Sequence, residues 1–269
     1  MENFYDLVMG RKSVRSYDGR PLTAEDRAKL EAYIAALENP FGVPVRFTLL
    51  DAAEHGLSSP VLTGEKLYVA GLVDEAPNWE TAYGFAFEKL VLYAWSLGIG
   101  SVWIGGTMKR EIFERAAGRG ADERMPCISP LGYPAPKRSI KESLMRKGIA
   151  ADQRKPLNEL FFDGDFSKPL APEGAEAELA EVVRWAPSAV NKQPWRILRQ
   201  GSLWHFYEKH DGGFIHPETG DLQKIDVGIA LAHFWLGAEA AGLKPELVLE
   251  APEIVPPPET DYVASVRLG

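Results

Sequence analysis

Two short stretches concentrate the residue types best suited to chemistry. In "RKSVRSY", residues 11–17, Arg11, Lys12, Ser13 and Arg15 stand close together. A guanidinium is a fork of donors, an ammonium a point charge, and a hydroxyl donates or accepts. Such a set suits a phosphate, with its several charged acceptor oxygens. Read alone, it is equally a solvated charged face. In "APSAVNKQPW", residues 186–195, Ser188, Asn191 and Gln193 supply a hydroxyl and two amides. Pro187 and Pro194 stiffen that segment and keep most of it out of a helix. A rigid loop of adjacent donors and acceptors suits the polar edge of a planar heterocycle, where carbonyl and ring-nitrogen groups alternate. An ordinary capped turn would account for the prolines but not for the density of amides.

Other chemistry is less well supplied. The histidines are His55, His205, His210, His216 and His233. "HFYEKH" separates His205 from His210 by five positions, which suits neither ligation from one helix face nor a His-Glu-x-x-His motif, so no metal is expected. Cys127, the one cysteine, lies in apolar "MPCISPLGY" and reads as a small core residue. "GIGSVWIGG" at 98–106 leads into a strand rather than a helix, so it is not a dinucleotide fingerprint. No acid–base residue stands out as catalytic. Trp103, Trp185 and Trp195 flank these stretches.

The elements that must position these residues follow from periodicity and turn signals. A short helix is expected over 3–10, then extended "SVRSYDG". "PLTAEDRAKLEAYIAAL" reads as a helix with Thr23 as N-cap. "VRFTLLD" and "KLYVAGLVD" read as strands. "ETAYGFAFEKLVLYAWSLG" is a strongly apolar central helix. "SVWIGG" is read as a strand into a turn, "KREIFERAAG" as a helix and "CISPLGYP" as a strand. The polar stretch 135–170, with its apolar island "LNELFF", reads as an arm or crossover.

The chain then begins again. "KPLAPEGAEAELAEVVRWAP" at 168–187 echoes "RPLTAEDRAKLEAYIAALEN" at 20–39. "DVGIALAHFWLGAEAAGLKPEL" at 226–247 echoes "AYGFAFEKLVLYAWSLGIGSVW" at 82–103. In the second pair Gly84 matches Gly228 and Gly98 matches Gly242, both at an offset of 144. "ASVRLG" at the C-terminus echoes "ISPLG" at 128–132. Three echoes in one order imply a degenerate internal duplication, with a first half over 1–165 and a shorter second half over 166–269.

The chain has 269 residues, 45% of them hydrophobic and 25% charged, which is ordinary for a globular protein. Its net charge of −8 argues against nucleic acid and anionic membrane as partners. The apolar run 90–106 is interrupted by Ser96, Ser101 and glycines and reads as core. The N-terminus starts acidic without a long apolar stretch, so no secretory signal is expected and the cytoplasm is the expected compartment.

Taken together, "RKSVRSY", "APSAVNKQPW", "GIGSVWIGG" and "RKPLNELFF" resemble the nitroreductase family of FMN-dependent oxidoreductases, and most of all a subgroup in which two family-like halves share one chain. The resemblance implies an α+β fold: an internally duplicated pseudo-dimer of central antiparallel sheets flanked by helices. Family members pair so that a loop from one chain covers the flavin whose phosphate the other holds. This chain departs from that pattern. Phe41 and Val43 stand where the first half would carry counterparts of Asn191 and Gln193, and nothing like "RKSVR" precedes "KPLAPEG". Each half thus keeps a different part of one site.

By resemblance, Arg11, Lys12 and Ser13 would hold the FMN phosphate, with Arg154 as a further cation; the cations of 137–147 are the alternative to Arg154. Pro187, Ser188, Asn191 and Gln193 would line the isoalloxazine edge, and Ile104, Gly105 and Gly106 would pass its back face. The expected activity is transfer of hydride from NAD(P)H through FMN to an electron-poor small molecule such as a nitroaromatic or quinone. Other readings are an FMN carrier or sensor without turnover, or another flavin reaction such as ene reduction or dehalogenation. One FMN per chain and a monomeric state are expected.

Overall fold

In a computed structural model, residues 3–137, 139–148, 150 and 152–269 are described. The chain opens with helix α1 (Phe4–Gly10), an extended segment and α2 (Ala24–Ala35). Strand β1 (Val45–Asp51), short α3 (Ala52–His55), β2 (Leu67–Asp74) and the long α4 (Trp79–Ser96) follow. Next come β3 (Gly100–Ser101), α5 (Arg110–Ala116), β4 (Glu123–Arg124) and β5 (Ile128–Gly132). The arm carries α6 (Ile140–Gly148), α7 (Leu157–Leu160) and a hairpin of β6 (Phe161–Asp163) and β7 (Asp165–Pro169). The remainder holds α8 (Gly174–Arg184), β8 (Trp195–Gln200), β9 (Leu203–Lys209), the small hairpin β10 (Ile215–His216) and β11 (Gly220–Asp221), α9 (Leu222–Ala240), β12 (Pro245–Val248) and β13 (Thr260–Leu268).

Local chemistry explains the boundaries. The Thr23 hydroxyl accepts the Asp26 N–H at 3.1 Å, as an N-cap should. Helices α4 and α9 are apolar around most of their circumference, and such helices must be buried. They are: Tyr83, Phe87 and Leu90 on α4, and Ile229, Leu231 and Phe234 on α9, are all fully enclosed. Among the described residues no helix is long and apolar enough to cross a membrane.

The main sheets are mixed with helices in an α+β arrangement. The first runs β1-β2-β5-β3 with every neighbour antiparallel, and β4 adds to β2. The second runs β12-β13-β9-β8-β6-β7. Its β8-β9-β13-β12 portion repeats the order and polarity of β1-β2-β5-β3. Strand β6, carried by the arm, joins parallel to β8. The β6–β7 hairpin therefore belongs to the second sheet and straddles the expected division at 165/166.

Helices α4 and α9 cross in contact, and the contact is reciprocal. A Cβ on Gly84 would lie 2.0 Å from the Ile225 carbonyl oxygen, and one on Gly228 would lie 2.2 Å from that of Thr81. Gly228 lies 144 positions after Gly84, and Ile225 the same distance after Thr81. Only glycine lets two helix backbones approach so closely. The packing on both sides of this crossing forms one continuous core, running from Val69, Phe85 and Leu131 to Val183, Trp195 and Phe206. A smaller cluster with Val14, Tyr68, Phe113 and Ile128 lies apart from it.

"SVWIGG" is less regular than its sequence implies. Pairing as a strand lasts only through Gly100–Ser101, with one further bridge from Ile104 to Ile128. Beyond Ser101 the Val102 N–H goes instead to the Ser129 hydroxyl at 3.1 Å, so the ladder is interrupted there.

Candidate active site

After α1 the backbone of 11–17 runs extended beside the glycine-rich stretch. The Val14 N–H donates to the Ser101 carbonyl at 2.9 Å, and Ser13 bridges Ser101. A Cβ on Gly100 would come within 2.7 Å of a Val14 methyl, so the glycine admits this neighbour. Alternate residues of an extended segment face opposite sides. Val14 therefore enters the core, while Ser13 and Arg15 face a cavity of about 440 Å³.

Its wall is built from both ends of the chain. Trp103, Ile104, Gly105 and Gly106 form one side. Pro187, Ser188, Ala189 and Val190 form the rim, and Leu222, Ile225, Asp226 and Ile229 come from successive turns of α9. A Cβ built on Gly106 meets nothing within 4 Å, so backbone stands bare at open space there. The result is a mainly apolar slot with a hydroxyl and a guanidinium in its lining. Its volume is that of an ordinary small-molecule or cofactor pocket. A planar ring carrying a phosphate fits this set: apolar walls for the ring, Ser13 and Arg15 for the anion.

Of the residues expected in the site, Ser13, Ile104, Gly105, Gly106, Pro187 and Ser188 converge here. Five others are placed elsewhere. Lys12 is exposed. Arg11 is buried, with Nε 3.9 Å from the Glu88 carboxylate. Glu88 also accepts from Trp103 Nε1 at 2.8 Å and lies 2.9 Å from His233 Nε2, so Arg11 belongs to an internal network behind Trp103.

Asn191 and Gln193 turn from the cavity to the arm. The Asn191 amide donates to the carbonyls of Ala150 at 2.8 Å and Gln153 at 3.0 Å. Gln193 Oε1 accepts the Lys155 N–H at 2.8 Å. The cause is local backbone geometry: Val190, Asn191 and Gln193 have φ of 45°, 59° and 51°. This left-handed turn presents 187–190 to the cavity and sends both amides backward. Arg154 lies with its guanidinium 4.7 Å from the centre of the Trp185 ring and donates to Asn191 Oδ1 at 3.3 Å. Among the alternative cations, Lys137 and Lys147 are exposed, Arg138 is outside the described residues, and so are the side chains of Lys141 and Arg146.

Asp226, Phe214 and the α9 wall were not among the expected site residues, and Arg15 was named in the basic cluster but not carried into the expected phosphate set. Arg15 stood in plain view within "RKSVR". Leu222, Ile225 and Ile229 follow helical spacing, which sequence alone reads as core. The one signal for Asp226 is an acid inside apolar "IDVGIALAHFW". Its carboxyl is buried and both oxygens take the Ala189 N–H, at 3.1 and 3.0 Å. Burial pushes its pKa well above the carboxylate range; the Ala189 bond opposes this, and the charges of Asp221, Glu208 and Glu88 reinforce it. Cys127 also lines the cavity, but burial pushes its thiol up to about 12, which makes it a poor nucleophile.

Residues 3–238 match the model of a family described as "Putative TM nitroreductase". The chain belongs to this nitroreductase family. A Thermotoga maritima protein described as a "putative nitroreductase" shares its fold, at 20% identity over 99% of this chain and 93% of that one, with a TM-score of 0.64. An FMN-dependent nitroreductase from Clostridium difficile R20291 is 19% identical over 55% of this chain and 96% of its own, at a TM-score of 0.43. An iodotyrosine deiodinase bound to FMN and 3-iodo-L-tyrosine is 19% identical over 51% of this chain and 92% of its own, at a TM-score of 0.42. No curated protein matches this nitroreductase-family chain.

Proposed function

We propose that the chain is an FMN-dependent oxidoreductase that draws electrons from NAD(P)H and delivers them to an electron-poor small molecule, such as a nitroaromatic or quinone. The observation that carries this reading is the convergence of Ser13 and Arg15 with residues 187–190 on one 440 Å³ slot. FMN, when bound, would supply the hydride-accepting and hydride-donating chemistry. Ser13 and Arg15 would bind its phosphate. Trp103, Ile104, Leu222 and Ile225 would flank the ring and exclude water. Bare backbone at Gly106 would allow close approach at one face. Asp226, its pKa raised by burial, would fix the rim through the Ala189 N–H.

The same reading makes the chain a family dimer fused into one polypeptide, with one working site. It is supported by the repeated strand order and the reciprocal glycine contacts. It is supported too by what fills the related position in the first half. Phe41, the counterpart of Asn191, packs edge-on against Phe85 with centroids 6.5 Å apart, and Phe85 against Trp235 at 5.9 Å. Aromatic rings stand there in place of a cavity wall. Anaerobic mixing of FMN-loaded protein with NADH or NADPH, followed by a nitroaromatic or quinone, tests the activity. Flavin bleaching and its reversal by the acceptor are expected. Flavin that binds but is reduced by neither nucleotide would contradict an enzyme of this kind.

A further inference from the structure

Behind the cavity rim, three potential ligands come together from separate elements. Glu208 lies near the end of β9, His210 just after it, and Asp221 at the junction of β11 and α9. One ligand atom from each lies within 4.8 Å of the others. Glu208 is fully enclosed, and neither of its carboxylate oxygens has a hydrogen-bond partner. It meets the His210 ring and the Asp221 carboxyl, so two acids share one enclosed space.

His210 sharpens the problem. Its Nε2 is 2.8 Å from Asp261 Oδ2, and its Nδ1 is 3.0 Å from Glu208 Oε1. With Nε2 given to Asp261, Nδ1 faces Glu208 either as a second N–H donor or as a ligand with a cation held between the two atoms. Asp221 caps α9 through Oδ1, which accepts from Gln223 and Lys224.

We propose that Glu208, His210 and Asp221 form a site for a divalent transition-metal ion, with Asp261 as the outer carboxylate that orients His210. One imidazole nitrogen and two carboxylates are hard-to-borderline ligands of the kind that hold Zn²⁺ or Mn²⁺ with open positions for water. The carboxylate–histidine–metal relay is the usual way such an imidazole is held. The two carboxylate charges balance the ion.

The ion would tie β9 to the start of α9. Between them runs the segment with Gly213 and Phe214, which lines the slot, and the Leu222 N–H bonds the Phe214 carbonyl at 3.0 Å. The site is thus a brace for one wall of the cavity rather than part of its chemistry, and it stands whether or not the slot binds flavin.

Calorimetric titration of the untagged, chelator-stripped chain with Zn²⁺, and separately with Mn²⁺, tests it. One ion per chain is expected. Glu208→Gln should weaken binding at least tenfold, and Asp261→Asn about ten- to hundredfold. Zn²⁺ should raise the thermal midpoint of the wild type but not of Glu208→Gln, and the variant's own cooperative unfolding shows that it is folded. His210→Ala should behave like Glu208→Gln. Absence of saturable binding of either ion at neutral pH, or binding unchanged by Glu208→Gln and His210→Ala, would overturn the proposal.

Discussion

Val190, Asn191 and Gln193 hold the cavity rim in a left-handed turn, and their side chains decide how the rim is fastened. Val190 is β-branched at φ 45°, a conformation that costs about 1–2 kcal/mol and clusters at functional sites. Asn191 tolerates that region and bonds Ala150 and Gln153 as well. Asn191→Leu should therefore destabilise the chain by about 2–4 kcal/mol, from backbone strain plus lost bonds to the arm. Urea unfolding would measure this, and faster hydrogen exchange at 152–155 would locate it. The Ser13 and Arg15 pair predicts a different effect. The double variant Ser13→Ala, Arg15→Ala should weaken FMN far more than riboflavin, roughly ten- to hundredfold per lost charged contact. Equal loss of both ligands in a binding titration would place the phosphate elsewhere. At this scale the sequence was legible in type but not in direction. The basic motif and the amide-rich loop both reach the site region. Yet φ signs cannot be read from "VNKQ", and they turn Asn191 and Gln193 to the arm.

Helix α9 is the element that joins cavity, rim and core. Gly228 admits the backbone of α4, and Gly84 admits α9 in return. Because each Cβ would strike a backbone carbonyl, neither Gly84→Ala nor Gly228→Ala can be relieved by a rotamer change. Each should cost about 3 kcal/mol or more, and the two costs should be similar if the contact is two-fold. Chemical denaturation of the two single variants compares them. Asp226, one turn into α9, predicts a pH effect. Its folded-state pKa is raised by burial, so its favourable contribution is complete below the ordinary carboxylate range and is lost as pH rises. Asp226→Asn removes that loss. The variant should gain stability relative to wild type as pH rises above about 4, as unfolding at several pH values would show. A constant difference across that range would mean that Asp226 carries its charge in the fold. Helices α2, α4 and α5 and strands β1, β2 and β5 were legible from their apolar periods and turn signals, whereas β8 and β9 were not singled out. β4 and the hairpin β10–β11 were not legible, since two-residue strands have no period.

At the scale of the molecule, the two sheets share one core, and the reading of a fused dimer rests on that sharing. The echo of "DVGIALAHFW" with "AYGFAFEKLV", at a constant offset of 144, is what suggested that reading in the sequence. The slot itself was not legible. It is bounded by residues from 13 to 229, whose meeting depends on how α9 crosses α4. Fusion would bury within one chain a surface that separate halves would bury between two. Light scattering over a dilution series should therefore report a monomer, and a dimer persisting at high dilution would reveal a further interface. The most direct test of the account is the flavin content of the chain saturated with FMN, released by denaturation and divided by chain concentration. One FMN per chain is predicted, held in the slot between Ser13 and the 187–190 rim; two per chain, or none at any FMN concentration, would contradict it.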